Sequence, residues 1–212
     1  MTPSPTPPCA VMFDFDGTLC DMSPFVDELT AEGPHRWSRF FAHTPEAAPV
    51  EAGMDVLNRV IALGWQYSVS STRDPRSRGL VLRWLYEHRL LSKRRRPQMV
   101  LARTRGANGF GPALDCKVWH GRRRYDSRSR SLETSLFIDD EQDMVDGLIE
   151  AGVPAMHLEE LVDLSDAELR DLLRYSRRAW RKRWDEEQAL AAATEPPPGG
   201  PLSSVLVAGG AI

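Results

Sequence analysis

The sequence predicts an α/β fold, a parallel sheet with helices on both faces, and three observations carry that expectation. Short apolar runs of strand length recur along the chain, segments with helical apolar spacing separate them, and carboxylates stand at the ends of two of the runs. Strands that alternate with helix-length segments suit a parallel sheet covered on both sides. The 212 residues suffice for one domain with a substantial core. A content of 42% hydrophobic and 27% charged residues is that of a globular chain rather than a disordered or membrane-embedded one. No apolar stretch reaches the roughly 20 residues that span a bilayer. The opening "MTPSPTPPCA" has neither the basic nor the apolar region of a secretory signal, so no membrane association and a cytoplasmic location are expected. Cys9, Cys20 and Cys116 are widely spaced and odd in number, which indicates reduced thiols rather than a disulfide framework or zinc site.

The elements follow in order. "AVMFDF" (10–15) is a short apolar run bounded by turn residues and reads as a buried strand. The stretch from Leu19 to Val50 has few periodic apolar positions and reads as loop. "EAGMDVLNRVIALG" (51–64) places Met54, Leu57, Val60, Ile61 and Leu63 near helical spacing and ends at Gly64. "WQYSVSS" (65–71) is a strand by its aromatic and branched residues. In "DPRSRGLVLRWLYEHRLL" (74–91), Asp74 is the N-cap, Pro75 opens the helix, and Val81, Trp84, Leu85 and His88 form its apolar stripe. "PQMVLAR" (97–103), "SLFIDD" (135–140) and "VPAMHL" (153–158) supply three further strands, with a helix over 141–152. A last, long helix begins at the capping box Ser165–Glu168 and runs to about Ala193, carrying Leu169, Leu172, Leu173, Ser176, Trp180 and Trp184 on one stripe. The Pro-rich start (1–10) and the Pro- and Gly-rich end (194–212) lack an apolar face and are expected to be disordered.

Net charge is −3, but the distribution is uneven: Ser92 to Arg130 holds twelve Lys or Arg against two Asp. Such asymmetry suits either a polyanionic partner or a solvated basic face. The acidic residues are placed more tellingly. Ligands in open α/β sheets sit beyond the carboxyl ends of strands, where Asp14 and Asp16 follow the first strand and Asp139 and Asp140 end the fourth. Four converging carboxylates repel one another unless a cation or shared proton compensates. Mg²⁺, a hard ion that takes carboxylates, waters and phosphate oxygens, is the natural compensator.

These segments resemble the haloacid dehalogenase (HAD) superfamily of phosphohydrolases. "DFDGT" (14–18), Ser71 of "VSSTR", Lys117 and "FIDDEQD" (137–143) fall in the order of that superfamily's motifs, over about residues 11–158. The resemblance implies a Rossmann-like phosphatase domain over 11–193 with a minimal cap. It implies Asp14 as nucleophile forming an aspartyl phosphate and Asp16 as general acid and base. Mg²⁺ would be held by Asp14, Asp139 and the main-chain carbonyl of Asp16, with Asp140 either touching the ion or supporting its ligands. Ser71 would donate to a phosphoryl oxygen, with Ser70 or Thr72 as alternatives, while Lys117 would offset charge. Gly17 permits the sharp turn and Thr18 helps hold it at the substrate end of the strand.

A finer similarity is to the 3′-phosphatase domain of phage-type polynucleotide kinase-phosphatases. It rests on the tryptophan-bearing stretch before "TPEAAPV", on "SSTRD" followed by a helix with "RWL", on "LAR", and on "LFIDDEQDMVDGLIEAGVPAMHL". It implies Arg73 and Arg103 as grips for substrate phosphate and a phosphorylated substrate such as a nucleic acid end. The sequence contains no GxxxxGK[ST], so no kinase activity is expected of it. A small-metabolite phosphatase and a non-catalytic protein on the same scaffold are the competing expectations.

Overall fold

The computed structural model describes residues 9–30, 32–33, 35–91, 97, 100–102, 111–122, 125–126, 131–176 and 182. The chain divides into two compact units, Met1–Trp180 and Arg181–Ile212, and every element described here belongs to the first. The expected C-terminal tail, Arg103, Trp180, Trp184 and most of the arginine runs lie outside the described residues, as does all of the expected N-terminal tail before Cys9.

Strand β1 (Cys9–Asp14) lies at the centre of the sheet, where Ala10, Val11, Met12 and Phe13 are apolar and buried on both faces. It pairs in parallel with β2 (Gln66–Ser70) on one side and with β5 (Ser131–Asp139) on the other. β2 continues to β3 (Val100–Leu101), and β5 to β6 (Ala155–His157), both parallel. The parallel order is therefore β3-β2-β1-β5-β6, a Rossmann-like α/β sheet. β4 (Tyr125–Asp126) adds a short antiparallel pairing at the start of β5. Sequence reading missed β4 because its surroundings look only basic.

Among the described residues, eight helices accompany the sheet: α1 (Asp27–Thr30), α2 (Arg36–Ala42), α3 (Glu51–Ala62), α4 (Arg78–Glu87), α5 (Ala113–Arg122), α6 (Gln142–Glu150), α7 (Leu158–Val162) and α8 (166–176). The strand period of two divides the core between them. Val11, Phe13, Tyr67, Val69, Leu136 and Ile138 join the larger cluster with residues of α3, α4, α7 and α8. Met12 and Phe137 face the other way, into a smaller cluster with Leu148, Val153, Leu114 and Val118 of α5, α6 and the turn that follows α6.

Local signals act as expected at several points. Asp74 accepts from Arg76 N at 2.7 Å, although the first turn after it is a 3₁₀ helix and α4 begins only at Arg78. Gly64 and Gly152 terminate α3 and α6 at φ +81° and +78°. Ser165 and Glu168 form the reciprocal box, with Glu168 Oε2 accepting from Ser165 N at 2.8 Å and Ser165 Oγ accepting from Glu168 N at 3.3 Å. Leu169, Leu173 and Ser176 of α8 are buried.

Two expectations are corrected. The stretch after β1 is not loop: it forms α1, α2 and two 3₁₀ turns, held by a local cluster of Trp37, Phe40 and Phe41 rather than by a long apolar stripe. The buried face of α3 is Gly53, Val56, Leu57 and Val60, rotated from the stripe read in the sequence, because its N-terminal end packs on the loop after β1. Among the described residues no helix is long and apolar enough to cross a membrane.

Candidate active site

The strand order reverses direction between β1 and β5, the position where a crevice opens beyond the strand ends. Phe13 pairs with Ile138, so Asp14 and Asp139 leave the sheet side by side. Asp14, Asp139 and Asp140 each offer an oxygen within 4.8 Å of the others. Three carboxylates at this spacing form a hard-oxygen cluster suited to a divalent cation. Asp14 Oδ1 is buried and has no hydrogen-bond partner, an orphan of the kind a metal ion would satisfy.

Lys117 comes from α5 and is itself buried. Its Nζ stands 2.7 Å from Asp139 Oδ2 and 3.4 Å from Asp14 Oδ2. Burial alone would lower its pKa, but the two carboxylates outweigh that and hold it above the ordinary lysine value. Burial pushes Asp14 well above the ordinary carboxylate range, opposed by Lys117 and reinforced by Asp139, Asp16 and Asp140. Asp140 is raised too, chiefly by burial, against the hydrogen bond it accepts from Thr18 Oγ1 at 2.8 Å.

Gly17 fits this corner for a steric reason. It has φ +78°, and a Cβ there would lie 2.1 Å from Asp140 Oδ2. The Asp140 main chain is held as well, because His157 Nε2 lies 2.7 Å from its carbonyl oxygen while His157 Nδ1 accepts from Glu159 N.

The Asp16 carboxylate stands outside the trio and faces Arg73. Arg73 Nε is 3.0 Å from both Asp16 oxygens, and Nη2 is 2.5 Å from Oδ1. The guanidinium also donates from Nη1 to Thr44 Oγ1 at 2.5 Å and lies between the rings of Phe15 and Phe41, 4.9 and 4.5 Å from their centroids. Arg73 is 1% exposed, so it faces the loop and the helical insertion rather than solvent. Thr18 is likewise buried and directs its hydroxyl to Asp140. Ser71 is buried just beyond β2, its Oγ accepting from Arg73 N at 3.3 Å, whereas Ser70 Oγ lies 2.8 Å from His120 Nδ1.

The structure thus brings Asp14, Asp16, Thr18, Ser71, Arg73, Lys117, Asp139 and Asp140 to one end of the sheet; Arg103 lies outside the described residues. Sequence reading did not find Thr44, Phe41, His120 or His157. The first two are remote in the chain from the arginine they hold, and the histidines show no metal-ligand spacing.

No protein-family model matches the sequence, and no curated protein matches it. Among solved structures, a chain of the Pnkp1/Rnl/Hen1 RNA repair complex superposes with a TM-score of 0.49 at 18% identity, over 71% of this chain and 42% of that one. A HAD family hydrolase from Deinococcus radiodurans R1 with bound phosphate and sodium gives 0.44 at 16% identity, over 80% and 96%. A putative beta-phosphoglucomutase from Thermotoga maritima gives 0.44 at 13% identity, over 78% and 98%. This chain spans less than half the length of the two Pnkp1/Rnl/Hen1 chains it matches, 42% and 46%. At these identities and scores, the chemistry of this chain rests on its own residues.

Proposed function

We propose that the chain is a Mg²⁺-dependent phosphomonoesterase that forms an aspartyl phosphate on Asp14 and removes a terminal 3′-phosphate from a nucleic acid or nucleotide. The observation that carries this reading is the trio of Asp14, Asp139 and Asp140 oxygens within 4.8 Å, with the Lys117 ammonium on two of the three. The residues fit Mg²⁺: Asp14, Asp139 and Asp140 would hold it with the Asp16 carbonyl, and when bound it supplies positive charge to the nucleophile and the phosphoryl oxygens.

In the first step an Asp14 oxygen attacks phosphorus, an O–P bond forms, and the bond to the leaving oxygen breaks as Asp16 gives that oxygen a proton. In the second, Asp16 takes the proton of a water that attacks the same phosphorus, which releases phosphate and restores Asp14. Arg73 fixes the Asp16 carboxylate between these transfers, since a planar fork on both oxygens allows little rotation. Lys117 offsets negative charge as it accumulates at phosphorus, and Ser71, one residue past the strand position beside Asp14, would donate its hydroxyl to a phosphoryl oxygen.

The nucleic acid part of the proposal is supported by the excess of arginine and lysine between Ser92 and Arg130, since neutralising phosphates dominates nucleic acid affinity. The test is phosphate release from a 3′-phosphorylated oligonucleotide, a 3′-nucleotide and sugar phosphates, with and without Mg²⁺, by wild type and Asp14→Asn. Release that Asp14→Asn leaves intact would end the chemical reading. A marked preference for sugar phosphates would end the substrate assignment and favour a metabolite phosphatase.

A further inference from the structure

His120 has no place in the reaction above, yet it is fully buried on the helix that carries Lys117. Residues three apart on a helix share a face, so Lys117 and His120 point together toward the strand ends. Among the described residues, the His120 ring has partners at two strand ends and on α5 itself. Nδ1 lies 2.8 Å from Ser70 Oγ, at the last residue of β2. Nε2 lies 3.3 Å from the carbonyl oxygen of Ala102, just past β3, and 3.6 Å from Cys116 Sγ. A carbonyl oxygen can only accept, so Nε2 carries the proton and Nδ1 accepts from the Ser70 hydroxyl.

The sheet face explains why a polar strut stands here. Asp14 pairs with Ser70 and Met12 with Ser68, so β2 presents serines, not apolar side chains, on the face that α5 covers. The apolar contacts of α5 in the smaller cluster come from Leu114 and Val118. Its close packing on α6 is through Gly147, where a Cβ would meet Leu114 at 2.6 Å, and Gly121 packs equally closely on Val153. None of these contacts reaches β2 or β3. Among the described residues, the imidazole spans the remaining direction, from α5 to the β2 and β3 ends, on the helix that holds Lys117 Nζ against Asp14 and Asp139.

We infer that His120 is a positioning residue, a buried strut from Ser70 and the Ala102 carbonyl to α5 that sets the Lys117 ammonium between Asp14 and Asp139. The claim rests on the proposed charge-offsetting role of Lys117 for its effect on turnover, but not for its effect on where Lys117 sits.

The experiment therefore has two readouts on wild type, His120→Leu, His120→Asn and Ser70→Ala. The first is the rate at which an N-hydroxysuccinimide ester acylates Lys117 in the folded protein, followed by peptide mass spectrometry with Lys93 and Lys182 as internal references. The second is kcat and KM for a chromogenic phosphate ester with Mg²⁺. Lys117 should acylate faster in His120→Leu and in Ser70→Ala than in wild type, with the reference lysines unchanged.

In His120→Leu, kcat should fall by about tenfold to a hundredfold with KM little altered, the scale of an ångström of misplacement. His120→Asn, whose amide can take the position of Nδ1 and keep the Ser70 bond, should recover most of that loss. Acylation of Lys117 that is the same in all four proteins would overturn the inference, as would a loss of kcat that Leu and Asn share equally. Should His120→Leu fail to fold, Ser70→Ala decides alone by its labelling rate. A wild type that turns over no ester would end the phosphatase reading and leave the labelling to judge the strut.

Discussion

Asp14 is caught between opposed demands, since a nucleophile must be ionised while burial and three neighbouring carboxylates favour its protonated form. A carboxyl with a raised folded-state pKa binds its proton more tightly in the folded chain than in the unfolded one. Its contribution to stability is therefore fully present below the ordinary value of 3.8 and is lost as pH rises through the folded-state value. Asp140 shifts in the same direction. Metal-free protein should accordingly lose thermal stability as pH rises above the ordinary carboxylate value, and Mg²⁺ should restore it more at neutral than at acid pH, where protons compete for the same oxygens. At a hundred times its dissociation constant the ion contributes about 2.7 kcal/mol, a shift in Tm of roughly 5–10 °C. Asp14→Asn should raise the Tm of the metal-free protein and remove most of the Mg²⁺ shift; calorimetry across pH with EDTA or Mg²⁺ checks both. Arg73 supports a second expectation at this scale. Lysine at 73 keeps the charge but loses the fork on Asp16 and the place between Phe15 and Phe41, so Arg73→Lys should cost about 2 kcal/mol in urea unfolding and reduce turnover.

The elements bring residues far apart in the chain to these contacts, and they differ in how plainly the sequence announces them. β1 and the end of β5 were legible because an unbroken apolar run stops at a carboxylate, which few environments other than a strand end beside a loop permit. The cap of the 3₁₀ turn that leads into α4 and the box that opens α8 were legible from side chains that satisfy free backbone groups. α5 was not: its apolar contacts in the core are Leu114 and Val118, and its other inward positions are Lys117 and His120, polar residues that need partners elsewhere in the fold. The partnership of Arg73 with Thr44 and Phe41 was hidden for the same reason. Helix α3 makes a testable contact of this kind. It lies so close to the loop after β1 that a Cβ on Gly53 would stand 1.7 Å from the Thr18 carbonyl oxygen. Backbone hydrogen bonds from Val50 N to Leu19 O and from Asp21 N to Ala48 O stitch the same two segments together. Gly53→Ala must push the loop or the helix aside, so it should destabilise the protein by about 1–3 kcal/mol despite the better helix propensity of alanine. Because the loop carries Asp16 and Thr18, it should also weaken the Mg²⁺-induced rise in Tm, which a purely peripheral defect would leave alone.

Across the whole molecule the sheet divides two tasks between its faces. The face covered by α3, α4, α7 and α8 holds the large apolar cluster, in which Trp84 packs edge-on against Phe15 at 5.3 Å and donates its Nε1 hydrogen to the Ala47 carbonyl. The face covered by α5 and α6 has only a small apolar cluster, and toward the strand ends it turns polar through Ser68, Ser70, Asp14, Asp139 and Lys117. A chain that groups buried charge on one side gains the site at the expense of packing there, so stability should come disproportionately from the other side. Adjacent residues of β2 put this to a test, since Ser68 and Val69 are both fully buried but face opposite ways. Ser68 Oγ has no hydrogen-bond partner. Removing an unsatisfied hydroxyl costs nothing in lost bonding, so Ser68→Ala should be neutral or stabilising by up to about 1 kcal/mol. Val69→Ala removes two methyl groups from the large cluster and should cost about 2–3 kcal/mol through lost burial and the cavity left behind. Urea unfolding midpoints of the two variants, with equal m-values, measure the contrast. Equal destabilisation by both would mean that the two faces contribute alike and that the polar face is as tightly packed as the apolar one.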